Sequence, residues 1–199
     1  GEENPVQVLL EMTLKNLTDN GGIDHRDFLA RVDVLTAAEK VLGRDAKIVI
    51  SNYGKFHRLA RYFFRHTQAP VGVVMGLPTL RELFDEKYYT DLEGGLLEAF
   101  GRLFQNGLRL YVYPERNDGK ISTVESFQPS GHLVHLYRYL CENGSILGLE
   151  KYCEEWLDIF SRDVLAEIRA GGNKWESKVP KPVAAVIRSR GLLGHRDPA

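Results

Sequence analysis

The chain has 199 residues, of which 43% are apolar and 27% charged, a balance that excludes disordered, collagen-like and low-complexity classes. Lys and Arg number 26 against 27 Asp and Glu, so the basic excess of a general nucleic-acid binder is missing and no nucleic-acid partner is expected. The longest apolar run, Val71–Leu77, is only 7 residues against the ~20 that a membrane-crossing helix needs, so no membrane partner is expected either.

The chain starts at Gly1-Glu2-Glu3 with no basic or apolar leader, so no signal peptide is expected. It reads as a piece of a longer protein, whose N-terminal part would then be a partner. Cys141 and Cys153 are the only cysteines; they make no disulfide framework, and a reducing cytoplasm is the expected compartment. Residues 1–45 carry five basic and nine acidic side chains, residues 171–199 six basic and two acidic. Such ends attract one another within or between chains, which makes a second copy of the chain a candidate partner.

In chain order, Asn4-Pro5 reads as a cap and first turn of a helix carrying Val6, Leu9, Leu10, Thr13 and Leu17, stopped by Gly21-Gly22. Asp24 caps a second helix with Phe28, Leu29, Val32, Leu35 and Leu42 on one face and Gly43 beyond its end. Residues 47–52, KIVISN, are short and β-branched, as in a strand covered on both faces. Lys55–His66 returns to helical spacing, with Phe56, Leu59, Ala60 and Phe63 opposite a stripe of Lys55, Arg58, Arg61 and Arg65. Val71–Met75 is a second buried strand, and Pro78 opens a helix through Leu80, Leu83 and Phe84. After a polar connection, Asp85–Glu93, Gly94-Gly95 precede a helix with Leu96, Leu97, Phe100, Leu103 and Phe104. Leu108–Tyr113 is the third strand, ended by Pro114. Arg116–Gly131 reads as a long polar loop, and everything after it as helix: Leu133, Leu136, Tyr137 and Leu140; then Val164, Leu165 and Ile168 behind Ser161; then Val183–Arg190, stopped by Gly191.

Strands alternating with helices predict right-handed parallel crossovers. The expected fold is α/β, a small open parallel sheet of about three strands with a C-terminal helical extension. Its parts would be residues 1–45, a helical pair packing on the sheet; 46–114, the parallel core; and 115–199, the extension, all in one compact domain.

Ligands of open parallel sheets sit beyond the carboxyl ends of the strands. That rule selects Ser51, Asn52 and Tyr53 with Lys55 after the first strand, Gly76 and Thr79 after the second, and Glu115, Arg116 and Asn117 after the third. Backbone N–H groups, hydroxyls and a lysine suit a phosphate; the plainer alternative is that Ser51-Asn52 caps the helix at Lys55. The basic stripe suits phosphates or an acidic surface, or is simply a solvated face. Gly94-Gly95 allows close approach of a ligand or makes a tight turn. Asp85, Glu86, Tyr88, Tyr89 and Asp91 form an acidic–aromatic loop of the kind found at interfaces and pocket rims. Trp156 and Trp175 read as packing anchors of the tail. His132 and His135, with Cys141 and Cys153 downstream, have no Cys-x-x-Cys knuckle beside them, so no metal site is expected.

The apolar strand ending in Ser51-Asn52, behind the amphipathic Asp24–Leu42, resembles the second motif of the haloacid-dehalogenase-like (HAD-like) phosphohydrolases, in which that serine or threonine holds the transferring phosphoryl group. The same resemblance implies an Asp-x-Asp nucleophile on an earlier strand. Leu10-Glu11-Met12-Thr13-Leu14 has the shape but one acid only, and its spacing reads as helix. A Rossmann-like sheet is the other form the fold expectation takes.

A second resemblance covers nearly the whole chain. The stretches LEMTLKNL, DFLARVDVL, KIVISNYGKFHRLARYF, MGLPTLRELFDEKYYTDLEGGLLEAFGRLF, LYVYPE, HLYRYL and IFSRDVLAEI are similar to the C-terminal part of a bacterial family labelled nicotinate or nicotinamide mononucleotide adenylyltransferase. It implies a longer bacterial protein and nucleotide chemistry. The chain lacks that chemistry's Gly-x-Phe-x-Pro-x-His turn, and Ile121-Ser122-Thr123 leads into Val124-Glu125-Ser126 rather than to the arginine of Ser-x-Thr-x-x-Arg. No catalytic residue is therefore carried over.

The leading expectation is a binding module of a larger bacterial protein, holding a nucleotide or another phosphate-bearing small molecule at Ser51, Asn52, Lys55 and Thr79. The alternatives are a non-catalytic assembly module and a degenerate HAD-like phosphohydrolase. The sequence assigns no reaction and no cofactor.

Overall fold

A computed structural model describes residues 6–17, 24–42 and 46–196. In chain order its elements are β1 (Leu9–Thr13), α1 (His25–Glu39), β2 (Lys47–Ser51), α2 (Phe56–Phe63), β3 (Gly72–Gly76), α3 (Leu77–Leu83), α4 (Gly95–Leu103), β4 (Arg109–Tyr113), β5 (Glu115–Asn117), β6 (Lys120–Ser122), α5 (Val134–Glu142), β7 (Ile146–Gly148), α6 (Ser161–Arg169) and α7 (Lys181–Arg190). The chain is mixed α/β with parallel sheets, as expected. It forms two compact units: Gly1–Gly54 with Ile159–Ala199, and Lys55–Asp158. These do not follow the expected division at 45 and 114. No helix among the described residues is long and apolar enough to cross a membrane.

In the first unit β1 pairs in parallel with β2, from Leu9 opposite Lys47 to Thr13 opposite Ser51. This corrects the expected helix over Val6–Leu17, where the structure has β1 followed by a 3-10 turn, Leu14–Leu17. The apolar residues 9, 10 and 12 fit either period, and the β-branched β2 offers a ladder that decides between them. The helix signals at Asn4-Pro5, Gly21-Gly22 and Gly43 fall outside the described residues. Asp24 caps α1 as expected, its carboxylate accepting from the N–H groups of Arg26 and Asp27. The core of this unit joins Ala37 of α1 to Val164, Ile168, Trp175, Val183, Ala184 and Ile187. Trp175 is fully buried and its Nε1 donates to the Gly172 carbonyl at 2.9 Å.

In the second unit β3, β4 and β7 form a parallel sheet in that order. Gly72 to Gly76 lie opposite Arg109 to Tyr113, and Leu110 to Val112 opposite Ile146 to Gly148. The expected trio of 47–52, 71–75 and 108–113 is thus corrected: β2 pairs with β1, and the third strand beside β3 and β4 is β7. Residues 115–158 are not a helical extension. Asp118 and Gly119, at φ 48° and 75°, turn an antiparallel hairpin between β5 and β6, where both central residues of a tight turn take positive φ.

Alternation along β4 buries Leu110 and Val112 and turns Arg109 and Tyr113 outward. The buried face meets Leu77, Leu80, Leu103 and Ile146, and beside it Phe84 packs edge-on against Phe100 at 5.0 Å and Tyr137 at 5.4 Å between centroids. The strands are not covered on both faces, contrary to expectation: Val74 is 66% exposed and Ile50 46%. On the open face of β3 the Tyr111 ring lies over Gly72, where a Cβ would stand 2.8 Å from its Cε2. Tyr113 covers Gly76 in the same way, at 3.0 Å. Aromatic rings thus shield strand glycines across the ladder.

Candidate ligand cleft

The residues selected by the strand-end rule divide between the units. Ser51, Asn52 and Tyr53 follow β2 in the first; Lys55, Gly76, Thr79, Glu115 and Arg116 are in the second. Ser51 is buried, its hydroxyl donating to Glu11 Oε1 at 2.6 Å and accepting the Tyr53 N–H at 3.1 Å. Lys55 donates to Asp91, which also receives Arg58 Nη2 at 3.0 Å. The Lys55 hydrogen bond holds the Asp91 carboxyl below the usual carboxylate range. Glu115 is buried and accepts Arg81 Nη2 at 2.5 Å, while Arg116 donates to Glu154 at 2.9 Å. Gly76 is filled by the Tyr113 ring, and Thr79 lies half-buried in α3. The charged members of the set, Lys55, Glu115 and Arg116, are each engaged by another side chain.

Other singled-out residues have partners of their own. Tyr89 is buried and donates to the Leu83 carbonyl at 2.8 Å; burial pushes its phenol up to about 12. The Gly94 N–H donates to Glu98 Oε2 at 2.8 Å. Exposed His132 places Nε2 2.7 Å from Glu86 Oε2. Cys141 and Cys153 are free thiols, and no three His, Cys, Asp or Glu side chains gather as a metal site among the described residues. Trp156 corrects the packing-anchor expectation. It is 69% exposed on a 3-10 turn, Glu154–Trp156, and Leu157 takes the buried place.

A cleft of about 700 Å³ opens in the second unit at the carboxyl ends of β4 and β7. Val112 of β4, Pro114 just after it, and Leu147 and Gly148 from β7 line its base, Thr123–Pro129 one wall and α5 the other, with Glu150 and Tyr152 following β7. Gly148 has a geometric reason. A Cβ there would meet Glu125 Oε1 at 3.2 Å and Val124 Cβ at 3.6 Å, so its missing side chain admits the Glu125 carboxylate over the strand end. Tyr137 of α5 donates its hydroxyl to the Val124 carbonyl at 2.6 Å and ties the two walls together. Burial pushes that phenol far up. Burial also raises the Cys141 thiol, so at neutral pH it lines the cleft as a small, protonated, weakly nucleophilic group.

Glu125, Arg138 and Glu150 line the cleft and form neither ion pairs nor side-chain hydrogen bonds among the described residues. This contrasts with Lys55, Arg81 and Arg116, which are all paired. None of the nine residues that the strand-end rule selects lines the cleft. Its base depends on β7, a strand of three residues hidden between a helix and a turn. The signal that would have found it is Asn143-Gly144 behind α5, Gly144 at φ 73°, followed by the apolar Ile146-Leu147.

No family model, curated protein or solved structure matches the chain.

Proposed function

We propose that the chain is a small-molecule-binding α/β module whose ligand, a nucleotide or another phosphate-bearing molecule, sits in the cleft at the ends of β4 and β7. One observation carries the reading: the cleft stands where open parallel sheets receive ligands, and Arg138 lines it with its guanidinium unpaired. An unpaired guanidinium suits a phosphate in two-pronged hydrogen bonds. The resemblance to the family labelled mononucleotide adenylyltransferase supports the same ligand class. The strand-end cleft also separates this reading from a pure assembly module, which needs none.

The test is thermal shift of the intact chain against nucleotides and sugar phosphates, repeated with Arg138→Ala and Gly148→Val. A ligand that raises the melting temperature of the parent and of neither variant supports the reading. No shift with any compound, or equal shifts in all three proteins, overturns it.

A second reading, a degenerate phosphohydrolase, is favoured by one specific observation: Leu9–Thr13 is a strand beside β2, with Glu11 bonded to Ser51. That restores the strand pair of the HAD-like resemblance but only one of its two acids. Turnover of p-nitrophenyl phosphate with Mg²⁺, lost in Glu11→Gln, would support it; no turnover dismisses it.

A further inference from the structure

Three charged side chains line the cleft without partners: Arg138 on α5, Glu125 on the opposite wall and Glu150 beyond β7. A ligand that was only an anion would meet one guanidinium and two carboxylates. Its attraction to Arg138 would be offset by repulsion from Glu125, which Gly148 admits to the strand end. Glu125 and Glu150 are exposed at the cleft and unpaired, so both are open to a cation on the ligand. Tyr152 adds an aromatic ring to the same lining, and a ring beside carboxylates is the chemistry that receives ammonium groups.

Resting on the reading above, we propose that the ligand is a zwitterion, a phosphate ester that also carries a protonated amine or quaternary ammonium group. Arg138 receives the phosphate; Glu125, with Glu150 and Tyr152, receives the cation. Specificity against plain phosphate esters comes from the carboxylates, which repel a ligand lacking the positive group.

Calorimetric titration of the intact chain with phosphoethanolamine, phosphocholine, glycerol phosphate and choline tests this. A zwitterion is expected to bind at least about tenfold more tightly than glycerol phosphate, the gain typical of one charge-assisted contact. Glu125→Gln, whose side chain has no hydrogen bond to lose, is expected to remove that preference and to melt like the parent. Arg138→Ala is expected to weaken both phosphate esters. Glycerol phosphate binding as tightly as the zwitterions, or a preference unchanged in Glu125→Gln, overturns the zwitterion and leaves the cleft reading standing. No binding by any of these phosphate esters also overturns the zwitterion, while the cleft reading is decided by the nucleotide and sugar-phosphate panel.

Discussion

Glu11 and Ser51, forty residues apart, meet at 2.6 Å across the first parallel strand pair, the hydroxyl donating to the carboxylate. The same hydroxyl accepts the Tyr53 N–H, so Ser51 fixes both the neighbouring strand and the turn that follows its own. Ser51→Ala removes both bonds at a buried position and leaves the Tyr53 N–H without that acceptor. A loss of about 1–2 kcal/mol in urea unfolding is expected. Glu11→Gln keeps an acceptor for the hydroxyl and is expected to cost less.

Gly72 and Tyr111 are coupled in the same testable sense. A Cβ at 72 would stand 2.8 Å from the ring, so Gly72→Ala must displace it, at about 1–3 kcal/mol. In the background Tyr111→Ala the substitution meets no ring and is expected to cost little. The double-mutant cycle should therefore show strong coupling; additive losses would mean that the ring is not what demands glycine.

His57 on α2 is 3% exposed, and its Nε2 has no hydrogen-bond partner. Burial, then the charges of Arg58, Lys55 and Arg102, lowers its pKa below the usual 6.5, with Asp91 opposing. Between the lowered native value and 6.5 the unfolded chain binds a proton that the native chain does not. Stability from this group is therefore complete above pH 6.5 and lost as the pH falls toward the native value. Unfolding free energies measured from pH 7.5 downward should decline more steeply in the parent than in His57→Phe. Parallel profiles would show that His57 does not titrate this way.

Tyr137 holds the cleft wall through the Val124 carbonyl at 2.6 Å. Tyr137→Phe keeps the ring in its aromatic cluster and deletes only the donor, so a loss of about 1 kcal/mol is expected. Faster amide exchange confined to residues 123–129 would localise the effect to the wall; a uniform change over the whole unit would not.

How much of this was legible in the residues depends on chain distance. The runs at 47–51, 72–76 and 109–113 are strands within a residue or two of their expected ends, because β-branched and apolar side chains crowd into them. LLEMT reads locally as helix because its three apolar residues suit one until β2 supplies a ladder. The Asp118-Gly119 pair is a hairpin signal set inside a stretch that otherwise reads as loop. The strand-end residues Lys55 and Glu115 meet Asp91 and Arg81, partners that lie 36 and 34 residues away in the chain and leave no mark on local pattern.

Among the described residues the sheet of the second unit ends on β3, whose five residues, GVVMG, include no charged side chain and no proline to discourage a further ladder. Val74 stands outward at its middle. Natural edges usually carry such guards, and an unguarded one recruits foreign backbone. Crowded preparations should thus drift toward fibrous precipitate at a rate set by this seam, and Val74→Lys should keep them clear.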